Sequence, residues 1–308
     1  MANYVVAMDE GLVSVIIPTY YRNNELESAI ESVLRQTYKN CEVIVVDDSG
    51  EQYAKSLVDC YDGVNYIGLE ENRGANYARS IGTYKSNGCA IQFLDDDDII
   101  HEKKIEKQMA LLNRYSGVVY CGFQRNNIIH LPPERGKGNV LKVTLGFDLN
   151  KCITSSMLIR TDLVKDILPF PNLPGSDDTY LKIELAKRTC FDFVSEPLVE
   201  KRSLNDSRGS GEGALYGMKE VIELFDGLYN EYDPEVKKSA ISSFYLRKGS
   251  LELEKSGWSH RATIDIFKSL VYSPNIFNIG YFLCAIFGRP GVKVGKFIFN
   301  KASNNRSM

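Results

Sequence analysis

Near-continuous apolar runs, separated by helical stretches and closing in turn-forming or acidic residues, constrain this chain more than any other feature. "VSVIIP" (13–18) is a β-branched run ended by proline; "CEVIVVDDSG" (41–50), "VNYIGL" (64–69) and "CAIQFL" (89–94) repeat the theme. Between the first two, "NNELESAIESVLRQT" puts Leu26, Ile30, Val33 and Leu34 on one helical face. "RGANYARSIGTYKSNG" (73–88) reads as a helix entered through a glycine turn, and Ile105, Met109 and Leu112 share a face after the fourth run. Strands without polar alternation are covered on both faces, so the pattern predicts an α/β fold with a mostly parallel central sheet flanked by helices. In such sheets ligands bind beyond the carboxyl ends of the strands. Pro18-Thr19, Asp47-Asp48 and Asp95 to Asp98 all fall there.

After residue 115 the pattern is less regular. "LPPERGKGN" (131–139) reads as a loop, "ITSSMLIR" (153–160) as a strand, and "LPFPNLPGSDDTYLKIELAKR" (168–188) as a proline-rich loop leading into a helix capped by Ser176. "DSRGSGEGA" (206–214) is the expected boundary, and residues 215–255 and 258–308 read mainly as helices. A net charge of -3 over 308 residues argues against a nucleic-acid partner. Seven cysteines without a CxxC pair read as reduced thiols of a cytosolic protein. "MANYVVAMDEG" lacks the features of a signal peptide, and "IGYFLCAIFG" (279–288) is too short to span a bilayer. The expectation is a cytoplasmic protein, at most attached to the inner face of the cell membrane.

"FLDDDDII" (93–100) is the chemical centre of the sequence. Acid runs are usually solvated surface, but Phe93 and Leu94 before this one, and Ile99 and Ile100 after it, tie its ends into a core. Closely spaced carboxylates suit a hard divalent ion, Mg²⁺ or Mn²⁺, whose shell substrate phosphates commonly complete. The EF-hand spacing is absent, there is no HExxH, and His101, His130 and His260 are far apart in the chain. No P-loop motif occurs, and "GSGEG" (209–213) misses the dinucleotide fingerprint. The residues alone therefore indicate a metal-bridged phosphate ester.

"VSVIIPTYYR", "AIESVLRQTYKNCEVIVVDDSG", "ENRGANYARSIG" and "IQFLDDDDII", in this order over residues 13–100, resemble the nucleotide-sugar-binding half of a family-2 glycosyltransferase of GT-A fold. The likeness continues more weakly through "SSMLIR" and "GSDDTYL". It implies a Rossmann-like GT-A domain over residues 1–212, with a nucleotide-sugar-binding half at 13–115 and an acceptor half at 116–212. A helical region at 213–308 would follow. It further implies that Pro18, Thr19 and Tyr20 line the base pocket and that Asp48 accepts from the N3–H of uracil, with Asp47 structural. Arg79 would sit near the diphosphate, although the family's following asparagine is Ser80 here. Laid on the family's L-D-x-D-D, Asp97 is the metal ligand, Asp95 lies nearer the ribose and metal-bound water, Asp96 takes the variable place and Asp98 supports the turn. The extra carboxylate at 96 leaves a one-residue shift open.

The resemblance also places the catalytic base, the aspartate of an "ED" pair at a helix start, at Asp178, with Asp177 in place of the glutamate. A base opposite the leaving group implies inversion, a preference that comes from the resemblance. The implied reaction moves a sugar from a uridine (or thymidine) diphosphate donor to a saccharide or lipid-linked saccharide, as in surface polysaccharide synthesis. Acceptor contacts are sought in 120–175 and 196–214, with Ser155, Ser156 and Arg202 as weak candidates. Beyond Asp265 there is no acidic residue but six cations among many aromatic and aliphatic side chains. That ending suits peripheral membrane contact or a homodimer equally well. Two other readings stand beside the transferase: a sugar-nucleotide pyrophosphorylase, whose glycine-rich N-terminal loop "IIPTYYRNNE" lacks, and a non-catalytic sugar-binding or scaffold protein.

Overall fold

The apolar runs form strands. Val13–Thr19 (β1), Cys41–Asp47 (β2), Val64–Gly68 (β3) and Ala90–Phe93 (β4) alternate with helices Asn23–Leu34 (α1), Lys55–Val58 (α2) and Ala75–Lys85 (α3). The structure, a computed structural model, describes residues 11–173, 175–202, 211–232 and 234–295. The first four strands lie in the order β3-β2-β1-β4 and are all parallel. Successive side chains of a strand point to opposite faces. Val13, Val15 and Ile17 of β1 accordingly join one buried cluster with Leu26, Ala29, Ile30 and Val33 of α1. Ile16 faces the other way and meets α3 at Gly82, where a Cβ would overlap its Cγ2 atom. Glycine at 82 is what lets α3 approach the sheet.

The chain continues through Asp98–Ile100 (β5), Lys104–Met109 (α4), Ser116–Arg125 (β6), Ile128–His130 (β7), Leu141–Leu145 (α5), Leu158–Arg160 (β8), Thr161–Lys165 (α6), Asp177–Ala186 (α7) and Cys190–Lys201 (β9). Beyond β4 the sheet becomes mixed, in the order β4-β8-β6-β9-β5 with β7 on β6. Strand β8 is antiparallel to both neighbours, β9 is parallel to β6, and β5 is antiparallel to β9. Only the end of "ITSSMLIR" is strand; Thr154–Ser156 form a 3-10 turn instead. The Ser156 hydroxyl donates to the Ile153 carbonyl at 2.7 Å, a local bond that competes with strand pairing.

By internal contact the described residues fall into two units. The first lies within Met1–Thr144, Leu149–Asn172 and Asp177–Ser207 and holds the whole sheet. The second lies within Leu145–Asp148, Leu173–Ser176 and Arg208–Met308. It contains helices Glu212–Leu224 (α8), Asp226–Glu231 (α9), Pro234–Ser256 (α10), His260–Tyr272 (α11) and Ile276–Ala285 (α12). Leu253, Ala262, Ile266, Ala285 and Val292 form its small core, and the Tyr229 hydroxyl donates to the Leu145 carbonyl at 2.6 Å. Most of the boundary stretch expected at 206–214, and the end of the chain from 296, lie outside the described residues. No described helix is long and apolar enough to cross a membrane.

Candidate active site

At the end of β4 the Leu94 amide donates to the Ile16 carbonyl, and the chain then turns, with the Asp98 amide donating to the Asp95 carbonyl, both at 3.0 Å. The four carboxylates of the turn leave in different directions. Asp96 accepts from the Thr19 hydroxyl at 3.0 Å and from Arg22 Nη1 at 3.2 Å. The same arginine nitrogen reaches Asp97 at 3.3 Å. Asp95 accepts from Arg79 Nη2 at 2.6 Å. Asp98 is fully buried, and neither of its oxygens has a hydrogen-bond partner among the described residues. Its counter-charge is Lys201 Nζ at 3.6 Å, from the residue paired with it across β5 and β9.

One oxygen each of Asp95, Asp97 and Asp98 lies within 4.8 Å of the others. Asp96, turned to Thr19 and Arg22, stands outside this group, and Asp98 joins it while its amide also closes the turn. Burial pushes Asp98 up to about 7 against the pull of Lys201, and pushes Asp96 up to about 6 against that of Arg22. Asp97 is raised by burial and then by Asp95. Burial acts to raise Asp95 too, but Arg79 and then Lys201 outweigh it and hold this carboxyl below its ordinary value. A buried carboxylate without a hydrogen bond, in an all-oxygen trio, fits a hard divalent cation. Asp95, Asp97 and Asp98 would hold it.

The adjacent strand ends supply a second group. Asp47 is wholly engaged, accepting from the amides of Ser49 (3.0 Å) and Ala54 (2.8 Å) and from the Tyr66 hydroxyl (2.8 Å). Asp48, only 2% exposed, accepts from the amides of Arg73 (2.7 Å) and Gly74 (2.8 Å). Gly74 has φ +89° and is the N-cap of α3, so Asp48 fixes the entry of that helix. Each Asp48 oxygen keeps acceptor capacity for a further donor. Pro18 and Thr19 are buried, whereas Tyr20, at the end of β1, is 41% exposed. Tyr20 lies edge-on to Tyr21 (4.7 Å), and Tyr21 tilts against Tyr53 (4.9 Å).

A chain of bonds joins the acid turn to the start of α7. Arg79 gives Nη1 to Asn76 Oδ1 at 3.0 Å, and Asn76 Nδ2 donates to Asp177 at 2.9 Å and to the Pro171 carbonyl at 2.6 Å. Asn76, Arg79, Thr154, Phe170, Asp177 and Leu181 line a cleft. Asp178 points elsewhere: Lys182 Nζ reaches it at 3.0 Å and the Thr179 hydroxyl at 3.4 Å. Lys182 is itself buried and also donates to the carbonyls of Leu149 (3.1 Å) and Cys152 (3.0 Å). The Asp178 side chain stays 34% exposed, so its free edge is open to a ligand.

Arg22, Asn76, Lys182 and Lys201 were not anticipated. Arg22 follows the "PTYY" end of β1, where a cation can face the acids; Lys201 has no such local signal, because β9 mixes buried and exposed positions without an unbroken apolar run. Ser155 and Ser156 are fully buried. Ser155 Oγ accepts from the Asp95 amide at 3.2 Å, so it supports the acid turn rather than presenting a hydroxyl to an acceptor. Arg202 lies 3.9 Å from Glu200.

Comparison with known proteins gives a consistent answer. The family model described as "Glycosyl transferase family 2" matches residues 14–168. An uncharacterized glycosyltransferase of Rickettsia prowazekii is 38% identical over 236 residues, 73% of this chain and 73% of its own length. The putative teichuronic acid biosynthesis glycosyltransferase TuaG of Bacillus subtilis is 28% identical over 215 residues, 65% of this chain and 82% of its own. The crystal structure of S. aureus TarS 1-349 in complex with UDP-GlcNAc superposes with a TM-score of 0.61 at 17% identity, covering 92% of this chain and 89% of that one. At that identity the superposition speaks to the GT-A fold alone.

Proposed function

Because the chain belongs to glycosyltransferase family 2, we propose that it is a divalent-metal-dependent, inverting enzyme that moves a sugar from a UDP-sugar to a saccharide hydroxyl in surface polysaccharide synthesis. Family membership sets aside the pyrophosphorylase and scaffold readings. One observation carries the metal: Asp95, Asp97 and Asp98 converge at the carboxyl edge of the sheet, and Asp98 is buried without a hydrogen-bond partner among the described residues. A bound Mn²⁺ or Mg²⁺ would supply charge stabilisation to the departing diphosphate. A nucleotide-sugar donor accords with the UDP-GlcNAc named in the TarS complex, and a polysaccharide acceptor with the teichuronic acid named for TuaG.

In this reading Tyr20 flanks the base beside Pro18 and Thr19, and Asp48 turns its remaining acceptor capacity to the uracil N3–H. Arg22 and Arg79 offer N–H groups to phosphate oxygens. Asp96 keeps Arg22 in place, and Asp177 does the same for Asn76 and, through it, Arg79. Asp178 takes the proton from the acceptor hydroxyl. As it does so, that oxygen bonds to the anomeric carbon and the bonding pair to the donor oxygen leaves with the diphosphate. Lys182 and Thr179 set the orientation of the Asp178 carboxylate. A panel of nucleotide sugars assayed for hydrolysis with and without Mn²⁺ tests the proposal. Turnover confined to UDP-sugars and abolished by chelator is expected; turnover unaffected by chelator would overturn the metal, and preference for a purine nucleotide would overturn the donor.

A further inference from the structure

The second unit has an apolar surface of unusual composition. Along α11, Ile264, Phe267 and Val271 recur every three or four residues and are 53%, 49% and 62% exposed, while Ala262, Ile266 and Ser269 on the other side are buried. A helix that is apolar on both sides needs a second cover. On α12 and just beyond it, Ile276, Leu283 and Phe287 are 86%, 54% and 76% exposed. The two exposed faces adjoin, since the rings of Phe267 and Phe282 lie 5.3 Å apart. Exposed Lys268, whose Nζ lies 5.2 Å from the Tyr245 ring centroid, exposed Arg289, whose Nη1 donates to the Glu254 carbonyl at 3.4 Å, and exposed Lys293 belong to the same stretch. The sequence holds no Asp or Glu from 266 to its end.

We propose that this face seats on an anionic lipid surface, with Ile276, Leu283 and Phe287 entering the acyl boundary and Lys268, Arg289 and Lys293 meeting headgroup phosphates. Charge decides between a bilayer and a second copy of the chain. A two-fold contact sets the same patch against itself. Three cations would then face three cations, with no carboxylate in this stretch of sequence to pair them. Anionic headgroups supply the missing partner.

The full-length protein is tested by co-sedimentation with vesicles of phosphatidylcholine alone or enriched in phosphatidylglycerol. Binding is expected only to the phosphatidylglycerol vesicles, weakened by salt and by roughly fivefold for each of Lys268→Gln and Lys293→Gln. Ile276→Ser combined with Phe287→Ser should abolish it. Both side chains are exposed, so an unchanged melting temperature and unchanged nucleotide-sugar hydrolysis would show the variant to be folded. Failure to bind phosphatidylglycerol vesicles, or equal binding to both kinds, would overturn the proposal. So would a dimer by light scattering that the same double variant dissociates. The readout is lipid binding, so its failure is separate from a failure of the donor or metal assignment.

Discussion

At Asp98 a carboxylate is held in the interior with no hydrogen-bond partner among the described residues, and this burial favours its protonated form against the pull of Lys201 3.6 Å away. Its carboxyl is raised to about 7, far above the value of an unfolded chain. The folded protein therefore binds more protons than the unfolded one between about pH 4 and 7, and stability from this group falls as pH rises through that window. Relative to Asp98→Asn, the metal-free protein should lose melting temperature from pH 5 to pH 8, and Mn²⁺ should restore it; parallel melting curves would contradict this. Mn²⁺ affinity should also fall as pH drops below about 7, because the proton must leave before the metal binds. Asp178 makes a separate prediction. Asp178→Asn should reduce transfer by roughly 10²–10⁴-fold while leaving UDP affinity unchanged, as measured by calorimetry beside steady-state rates. A variant with near-normal turnover would move the base elsewhere.

Among the elements, α3 shows how fold and site are linked. Gly82 sits one turn after Arg79, and its missing Cβ lets the helix lie on Ile16. Gly82→Ala should destabilise the protein by about 1–3 kcal/mol through overpacking and weaken UDP binding by displacing Arg79. Denaturant unfolding and calorimetry measure the two effects. Helix α4 makes another link. Buried Lys104 donates to the Oε1 atoms of Gln92 and Gln108, whose Nε2 groups bond the carbonyls of Ser155 (2.9 Å) and Ser156 (2.8 Å) beneath the acid turn. Burial lowers Lys104 from 10.5 to about 8. Between those values the unfolded chain binds the extra proton, so stability should rise with pH, by roughly 3 kcal/mol in all. Wild type should gain over Lys104→Met from pH 8 to pH 10; curves that stay parallel would refute the assignment. Strands β1, β2 and β4 were legible because strands buried on both sides are written as unbroken apolar runs, while the half-exposed edge strand β3 was legible from its short apolar and aromatic run. Strands β6 and β9 were not: their register shifts around Gly122 and Pro197, and β9 mixes buried with exposed positions. Missing β9 meant missing Lys201, whose place beside Asp98 is set by strand register and by no local motif.

For the whole molecule, the acid turn gathers four carboxylates, and among the described residues the cations seen paired with them are Arg22, Arg79 and Lys201. "DDDD" disclosed that a cation belongs there, but not that the second aspartate turns to Thr19 while the fourth joins the trio; that division depends on how the turn sits between β4 and β5. The account's central claim is that Asp95, Asp97 and Asp98 hold a divalent ion which in turn holds the donor's diphosphate. Calorimetric titration of UDP into the protein with Mn²⁺ and with EDTA, repeated on Asp97→Asn, tests it most directly. The account predicts binding by the wild type that EDTA removes and that Asp97→Asn lacks even with Mn²⁺. UDP affinity that is equal with Mn²⁺ and with EDTA, or intact in Asp97→Asn, would contradict it.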